Sequence, residues 1–433
     1  MRRGVLSCLI VLLWALPQAG AAAATDRQAM QGWYRLVLEL VRHTPTYSPP
    51  VASRAFAYLG VTGYEAVASG DPALRSLAGQ LTDLDPLPAR EPGLAYDDEA
   101  VVQAALARSV AVFFENTGPT GQRAIAAMTR RQGEAAAAGV APDTLARSEA
   151  YGRALADHII AWSQDDGGAV VENMGFPYEY QLTDAPGHWV PTSRVAQQQL
   201  PLLPDWGRNR PFAMQRMEVC DLPPPPAYSE EPGSAFHAEA LEVSTARRDL
   251  TPEQTAIARF WSDDPMLSPT PPGHWISITW QILDRDDAGL AESADVMARL
   301  GVGMADAFIG CWRSKFAHDL VRPVTYIRKL IDPEFEPLLI TPPFPEYPSG
   351  HSTLSGAAAT VLTASFGEGF GFEDATHEDD GLPARPFPSF WAAAAEAAIS
   401  RLYGGIHFRA AVEQGLEQGR CIGTHATALR TRR

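Results

Sequence analysis

Three short stretches in the second half of the chain place cations, hydroxyls and histidines at spacings that suit the binding of a tetrahedral oxyanion. The first reads CWRSKFAHDLVRPVTYIR. Lys315, His318 and Arg322 stand three, four and seven apart, the spacing of one helical face. Pro323 disfavours helix at Arg322 and so puts that arginine near a helix end. A solvated basic face would give the same pattern. Phe316, Leu320 and Val321 argue for burial instead, and a buried cation needs an anionic partner. His318 is read as an outer support of the site or a packing residue. The second stretch, YPSGHS, carries Ser349, Gly350 and His351 where prolines give way to a small-residue helix. A helix start presents unpaired N–H groups and partial positive charge to an anion. Gly350 lets a ligand approach the backbone, Ser349 adds a hydroxyl, and His351 stands beside the anion as a proton donor. An ordinary N-cap with a surface histidine would look alike. The third stretch, ISRLYGGIHFR, ends an alanine-rich helix at Gly404-Gly405. Arg401 and His407 are six apart, and the glycine break lets both face one point. Taken alone it is also a plain helix C-cap, with Arg401 on the last carbonyls.

Together the three stretches supply a lysine, two arginines, a hydroxyl, a helix-start amide and two histidines. Arginine donates in a fixed fork that suits oxyanion oxygens, and lysine adds a mobile point charge. Lys315 with Arg322-Pro323, Pro348-Ser-Gly-His351, and Ser400-Arg401 with His407 resemble, in order and internal spacing, the three-part signature of vanadium-dependent haloperoxidases and type 2 phosphatidic-acid-phosphatase-like enzymes. FWSDDPMLSPTPPGHW and the N-terminal helices resemble bacterial members of the haloperoxidase branch, so the likeness covers nearly the whole mature chain.

The resemblance implies vanadate as cofactor, with phosphate able to occupy the same site. His407 Nε2 would bind the metal. Lys315, Arg322, Arg401, the Ser349 hydroxyl and the Gly350 N–H would hold the oxygens, and His351 would handle peroxide protons. Hydrogen peroxide, halide and small organic acceptors would be the partners, and bromide or chloride would leave as hypohalous acid. Trp312 and Phe344 occupy places that resemble the chloroperoxidase arrangement, where bromoperoxidases more often carry a histidine for the Phe. Two positions depart from the pattern. The acid expected four residues after the last histidine is Ala411, with Glu413 the nearest acid, and Val321 stands where Trp is common. Asp263 or Asp264 is an alternative partner for Arg401 or Arg322. His274, His377 and His425 read as structural or exposed. The same cage also suits phosphomonoester hydrolysis, with His407 as nucleophile and His351 as the acid. A non-catalytic exported oxyanion-binding protein is a third reading.

These groups need helices to place them. Apolar residues recur at three- and four-residue spacing in AMQGWYRLVLELVRH, RAFAYLGVTGYEAVAS and DDEAVVQAALARSVAVFFEN, and again in TGQRAIAAMTRRQGEAAAA and DTLARSEAYGRALADHIIAWSQ. Asp97 or Asp98 is expected to cap the third and Thr120 the fourth. Helical patterns return at TPEQTAIARFWSDD, GHWISITWQILDR and the long GLAESADVMARLGVGMADAFIGCWRSKFAHDLVR, then at the three C-terminal segments. No alternating strand pattern stands out. The expectation is an all-α protein of two helical bundles packed into one body. N-terminal helices would span 25–165 and an ordered Pro/Gly- and aromatic-rich irregular region 166–235. The active-site bundle would span 236–433.

The chain has 433 residues and a net charge of -16, which argues against nucleic acid or an anionic membrane as partner. Arg2 and Arg3, the apolar run Leu6–Leu16 and the small residues Ala19–Ala24 read as a signal peptide over 1–24, with export to the periplasm or medium. No later stretch is long enough to span a bilayer. The mature chain would keep Cys220, Cys311 and Cys421, which allow at most one internal disulfide.

Overall fold

The computed structural model describes residues 19–193 and 198–433, with residues 19–26 as backbone only. The expected leader therefore lies outside the described residues, except that the backbone from Ala19 opens the first helix.

Helices dominate. In the N-terminal half they are α1 (Ala19–Arg42), α2 (Pro49–Ala68), α3 (Asp98–Phe113), α4 (Gly118–Ala136) and α5 (Pro142–Ser163). After the irregular region come α6 (Ala235–Arg248), α7 (Pro252–Phe260), α8 (Thr270–Arg285), α9 (Leu290–His318) and α10 (Pro323–Leu330). The chain closes with α11 (Gly350–Phe366), α12 (Phe390–Tyr403) and α13 (Arg409–Thr427). Among the described residues the sheet is one antiparallel pair, β1 (Phe372–Asp374) and β2 (Arg385–Phe387), with Glu373 opposite Pro386. No described helix is long and apolar enough to cross a membrane.

Local chemistry sets the ends. Asp97 caps α3 by accepting from Ala100 N–H at 2.9 Å. Thr251 and Gln254 form a capping box at α7. Thr120 does not cap α4; the helix starts earlier, after Thr117, with Pro119 in its first turn. Helices α6 and α10 went unread in the sequence. Helix α10 is too short to show a period. The buried face of α6 (Phe236, Ala240, Val243) does carry helical spacing, diluted by charged neighbours.

Helix α9 is the shared axis. It packs on α2 on one side and on α11 and α13 on the other, and one apolar core runs across both groups. Helices α11 and α13 approach most closely through glycine: a Cβ on Gly419 would sit 2.1 Å from the Thr353 carbonyl. A smaller core joins α6, α10 and α12.

The irregular region is pinned to this frame. Buried Asp306 of α9 accepts from the N–H groups of Phe212 and Ala213 at 2.6 and 2.8 Å. Leu202 N–H donates to Pro343 at 2.8 Å, and Trp312 Nε1 donates to Leu202 at 3.1 Å. Cys220 and Cys421 form a disulfide that ties this region to α13, while Cys311 is free and buried.

Candidate active site

The three motifs meet at the C-terminal end of α9, the start of α11 and the turn between α12 and α13. Lys315 and Arg322 do not share one helical face. Helix α9 stops at His318, Asp319 takes a left-handed turn (φ 46°), and Arg322 is the N-cap residue of α10. The break is what aims both cations at one place. Ser349 is the N-cap of α11 and accepts from Ser352 N–H at 3.3 Å. Its own N–H donates to Ala411 at 3.0 Å, which locks α11 to the segment after His407.

Lys315 is fully buried, and its Nζ donates to the carbonyls of Pro345 and Glu346 (both 3.0 Å) and of Pro348. All three of its donors are thus engaged by the turn before Ser349. Burial pulls its pKa down to about 7. Arg322 Nε donates to Phe344 O and Nη1 to Ile406 O, each at 2.9 Å, but its buried Nη2 has no hydrogen-bond partner. Arg401 Nη1 donates to the Trp261 carbonyl, while its buried Nε has no partner. Burial lowers both guanidinium groups, to about 9 and about 10. Buried donors without partners are costly, so a cationic pocket that leaves two of them unpaired is built for an anion.

The orientation of His407 comes from a residue the sequence reading missed. Glu346, fully buried, accepts from His407 Nδ1 and from Phe408 N–H, both at 2.8 Å. A carboxylate there fixes the proton on Nδ1 and leaves the Nε2 lone pair beside Arg322 Nη1, 3.2 Å away. Burial, together with Arg322, Lys315 and Arg401, keeps the ring neutral. Burial pushes Glu346 up, while Arg322, Lys315 and the Phe408 N–H pull it back toward the carboxylate. The role expected four residues after His407 has moved to the Pro-rich turn. Ala411 is buried, and Glu413 pairs with Arg409 at the surface.

Asp263 pairs with neither arginine. Its backbone is left-handed (φ 49°), an unusual state for a non-glycine residue, and its carboxylate faces three histidines. Oδ2 lies 3.5 Å from the buried His351 Nε2, which has no closer hydrogen-bond partner, so Asp263 is the acceptor placed to take its proton. The pairing fails with Arg401 because that side chain takes the Trp261 carbonyl instead. Burial and then Arg401 lower His351 to about 4, so its ring is neutral at pH 7. His274 and His377 are buried against Asp263, and His425 is half-buried. His318 stands apart from the cage, edge-on to Tyr347 at 5.2 Å. Trp312 and Phe344 pack at 4.8 Å, with Lys315 Nζ 5.0 Å from the Phe344 ring centre.

Comparison with known proteins fits this geometry. The chain matches a solved bacterial vanadium-dependent iodoperoxidase at 37% identity and a TM-score of 0.84, covering 93% of this chain and 96% of that one. This chain belongs to the vanadium haloperoxidase family. A family model for the second helical-bundle domain of vanadium chloroperoxidase matches residues 295–333 and 331–433, which hold all three motifs. Vanadium chloroperoxidase of Curvularia inaequalis is 26% identical over 255 residues, and the match spans 42% of that protein's length. A holo-type bacterial vanadium-dependent chloroperoxidase shares the fold at a TM-score of 0.69 and 17% identity, over 94% of this chain. The all-α architecture is thus that of the haloperoxidases, enzymes of the peroxidase type.

Proposed function

We propose that the protein is a vanadate-dependent haloperoxidase that oxidises halide with hydrogen peroxide to hypohalous acid. The observation that carries this is the convergence of two buried, unpartnered guanidinium donors with a histidine whose Nε2 is left unprotonated by Glu346 at Nδ1 and faces Arg322. That donor set fits vanadate: Arg322, Arg401, Ser349 and the Gly350 N–H would hold the oxygens, and His407 Nε2 the metal. Vanadate supplies a Lewis acid that makes a peroxide oxygen electrophilic. His351, with Nε2 toward Asp263, offers Nδ1 to take the peroxide proton and return it to the departing oxygen. Lys315 would exchange one carbonyl partner for a peroxide oxygen. Trp312 and Phe344 would wall the halide's approach. We propose bromide or chloride as the ion, with small organic acceptors consuming the product. Iodide, the halide in the name of the 37%-identical structure, belongs in the same assay. Export, proposed from the leader pattern, is supported by the Cys220–Cys421 disulfide, since such bonds persist in oxidising compartments.

Phosphate-ester hydrolysis is the second reading, because the same unprotonated Nε2 is a competent nucleophile in a phosphate-shaped cage. One experiment separates the two. Purified protein is assayed with vanadate, peroxide and each halide, and without vanadate on phosphate esters. His407→Ala should lose tight vanadate binding. His351→Ala should keep most of it, yet lose about 10²–10⁴-fold in halide oxidation. Ester hydrolysis without any halide oxidation by the loaded protein would replace the peroxidase reading. Binding with neither activity would leave an anion-binding protein.

A further inference from the structure

Behind His351 lies a group of buried ionisable side chains that the cage does not use. Asp263 is the hub. His274 Nδ1 lies 2.9 and 3.2 Å from its two oxygens, and His274 Nε2 lies 2.8 Å from Asp374 Oδ2. Both aspartates and His274 are essentially inaccessible to solvent. The His274 ring stacks on Trp261 at 4.5 Å, a face that favours a cation. His377 Nε2 lies 3.4 Å from Asp263 Oδ1, and its Nδ1 is 3.1 Å from Asp380, which pairs with Arg42 at the surface.

We propose that His274, clamped between Asp263 and Asp374, is the positioning residue of the acid–base step: it keeps Asp263 ionised, so that Asp263 accepts from His351 Nε2–H and leaves His351 Nδ1 bare as the base. The proposal rests on the reading of His351 as the acid–base residue, and on no choice between halide oxidation and ester hydrolysis.

A buried carboxylate without a cation would take up a proton. As a carboxylic acid, Asp263 would donate to His351 Nε2 and drive the ring proton onto Nδ1, which removes the base. A cation in contact with Asp263 prevents this. Arg401 donates through Nη1 to the Trp261 carbonyl and makes no ion pair with Asp263, and His377 already answers to Asp380. His274 touches both Asp263 oxygens and has a second carboxylate behind it, so its charge is held by two acids. Burial alone would discharge His274, but Asp263 and Asp374 override it and raise it to about 10. Burial alone would likewise raise Asp263, but His274 holds it well below the usual carboxylate range. Asp264 and Arg401 are the other charged groups near this pair, and neither bridges it.

The test is histidine-selective ¹⁵N NMR of the vanadate-free protein, with the His351 signals assigned by their loss in His351→Ala. In the native chain at neutral pH we expect the His351 proton on Nε2. A proton on Nδ1 overturns the proposal without any variant. His274→Gln keeps a donor toward Asp263 but loses the cation, and Asp374→Asn loosens its hold. Each should move the His351 proton toward Nδ1. With vanadate loaded, each should lower kcat for halide about tenfold or more, with vanadate affinity kept, because His274 lies outside the cage. If His274→Gln does not fold, Asp374→Asn carries the same expectation. A merely structural triad would lower thermal stability and leave both the tautomer and kcat in place, which refutes the idea. If the native chain shows the expected tautomer but oxidises no halide, the peroxidase reading falls and this one stands.

Discussion

At the scale of single residues, the cage was legible where chemistry and spacing coincide. Lys315, His351 and His407 are scarce types here, Arg322, Ser349 and Arg401 stand with them in tight motifs, and the fold brings them together. Glu346 was not legible. It is one acid in a proline-rich turn, with no period to mark it, and only its hydrogen bond in the folded chain shows that it faces His407. Its role is testable. Glu346→Gln keeps an acceptor and loses the charge that fixes the Nδ1 proton. Loss of such a supporting partner commonly costs about 10–100-fold in metal affinity, and equilibrium dialysis with vanadate should show a fall of that order. An unchanged affinity would mean that Glu346 is only a turn residue. Lys315 gives a pH prediction. Burial sets it to about 7, and a bound anion raises it, so anion affinity is flat below that pH and falls above it. The slope should approach about tenfold per pH unit for one linked proton. Tungstate is the probe, because it does not itself titrate in this range. Lys315→Met should bind more weakly and lose the slope. Folding runs the other way: with the folded pKa below the unfolded one, this lysine adds stability as pH rises from about 7 toward 10.5.

At the scale of elements, helix existence was readable from apolar spacing, and helix ends less so. Asp97 caps α3 as read, but Thr120 does not cap α4, because Pro119 already suits a first turn one residue earlier. The end of α9 is hidden in the sequence for a different reason. Asp319 carries the left-handed turn that glycine would have announced, so the sequence looked helical through Arg322. Close helix contacts also hide in sequence, since Gly419 looks like any other glycine. In the structure it brings α13 against Thr353 and Gly356 of α11, the helix that presents Ser349 and His351. Gly419→Ala should therefore destabilise the protein by about 1–3 kcal/mol through overpacking, and should weaken anion binding by shifting α11. Gly133→Ala is the control. It sits in α4 with nothing within 4 Å of the added carbon and should stabilise by about 0.5–1 kcal/mol. Urea midpoints compare the two. Equal behaviour would show that the α11–α13 contact is loose enough to absorb a methyl group.

At the scale of the whole molecule, an acidic protein of net charge -16 holds the three cations of its cage, Lys315, Arg322 and Arg401, inside. The irregular region was read as ordered from its aromatics, and its Asp306 anchor and Leu202 contacts show how it clamps α9 and the turn before Ser349. Which cysteines pair was not readable from three candidates without a close spacing. Cys311 is sealed in the core of α9, which leaves Cys220 and Cys421, 201 residues apart. Closing a loop of that length removes much unfolded-state freedom, by chain-entropy reckoning about 5 kcal/mol as an upper figure. Beside the bridge, Gln418 of α13 donates to Ser314 of α9 at 2.9 Å and to Cys220 O at 3.3 Å, so the link reaches the turn of helix that carries Lys315. Reduction should thus lower the thermal midpoint and weaken anion binding together. The expected pattern is specific. Reductant lowers the midpoint of the native chain, Cys421→Ser shows the lowered midpoint without reductant, and reductant then adds nothing. A native chain indifferent to reductant would mean that the bridge adds no stability. In the oxidised protein Cys311 should resist alkylation until unfolding, because its sulfur is fully enclosed. A thiol that reacts in the folded state would place it at a surface the fold does not give it.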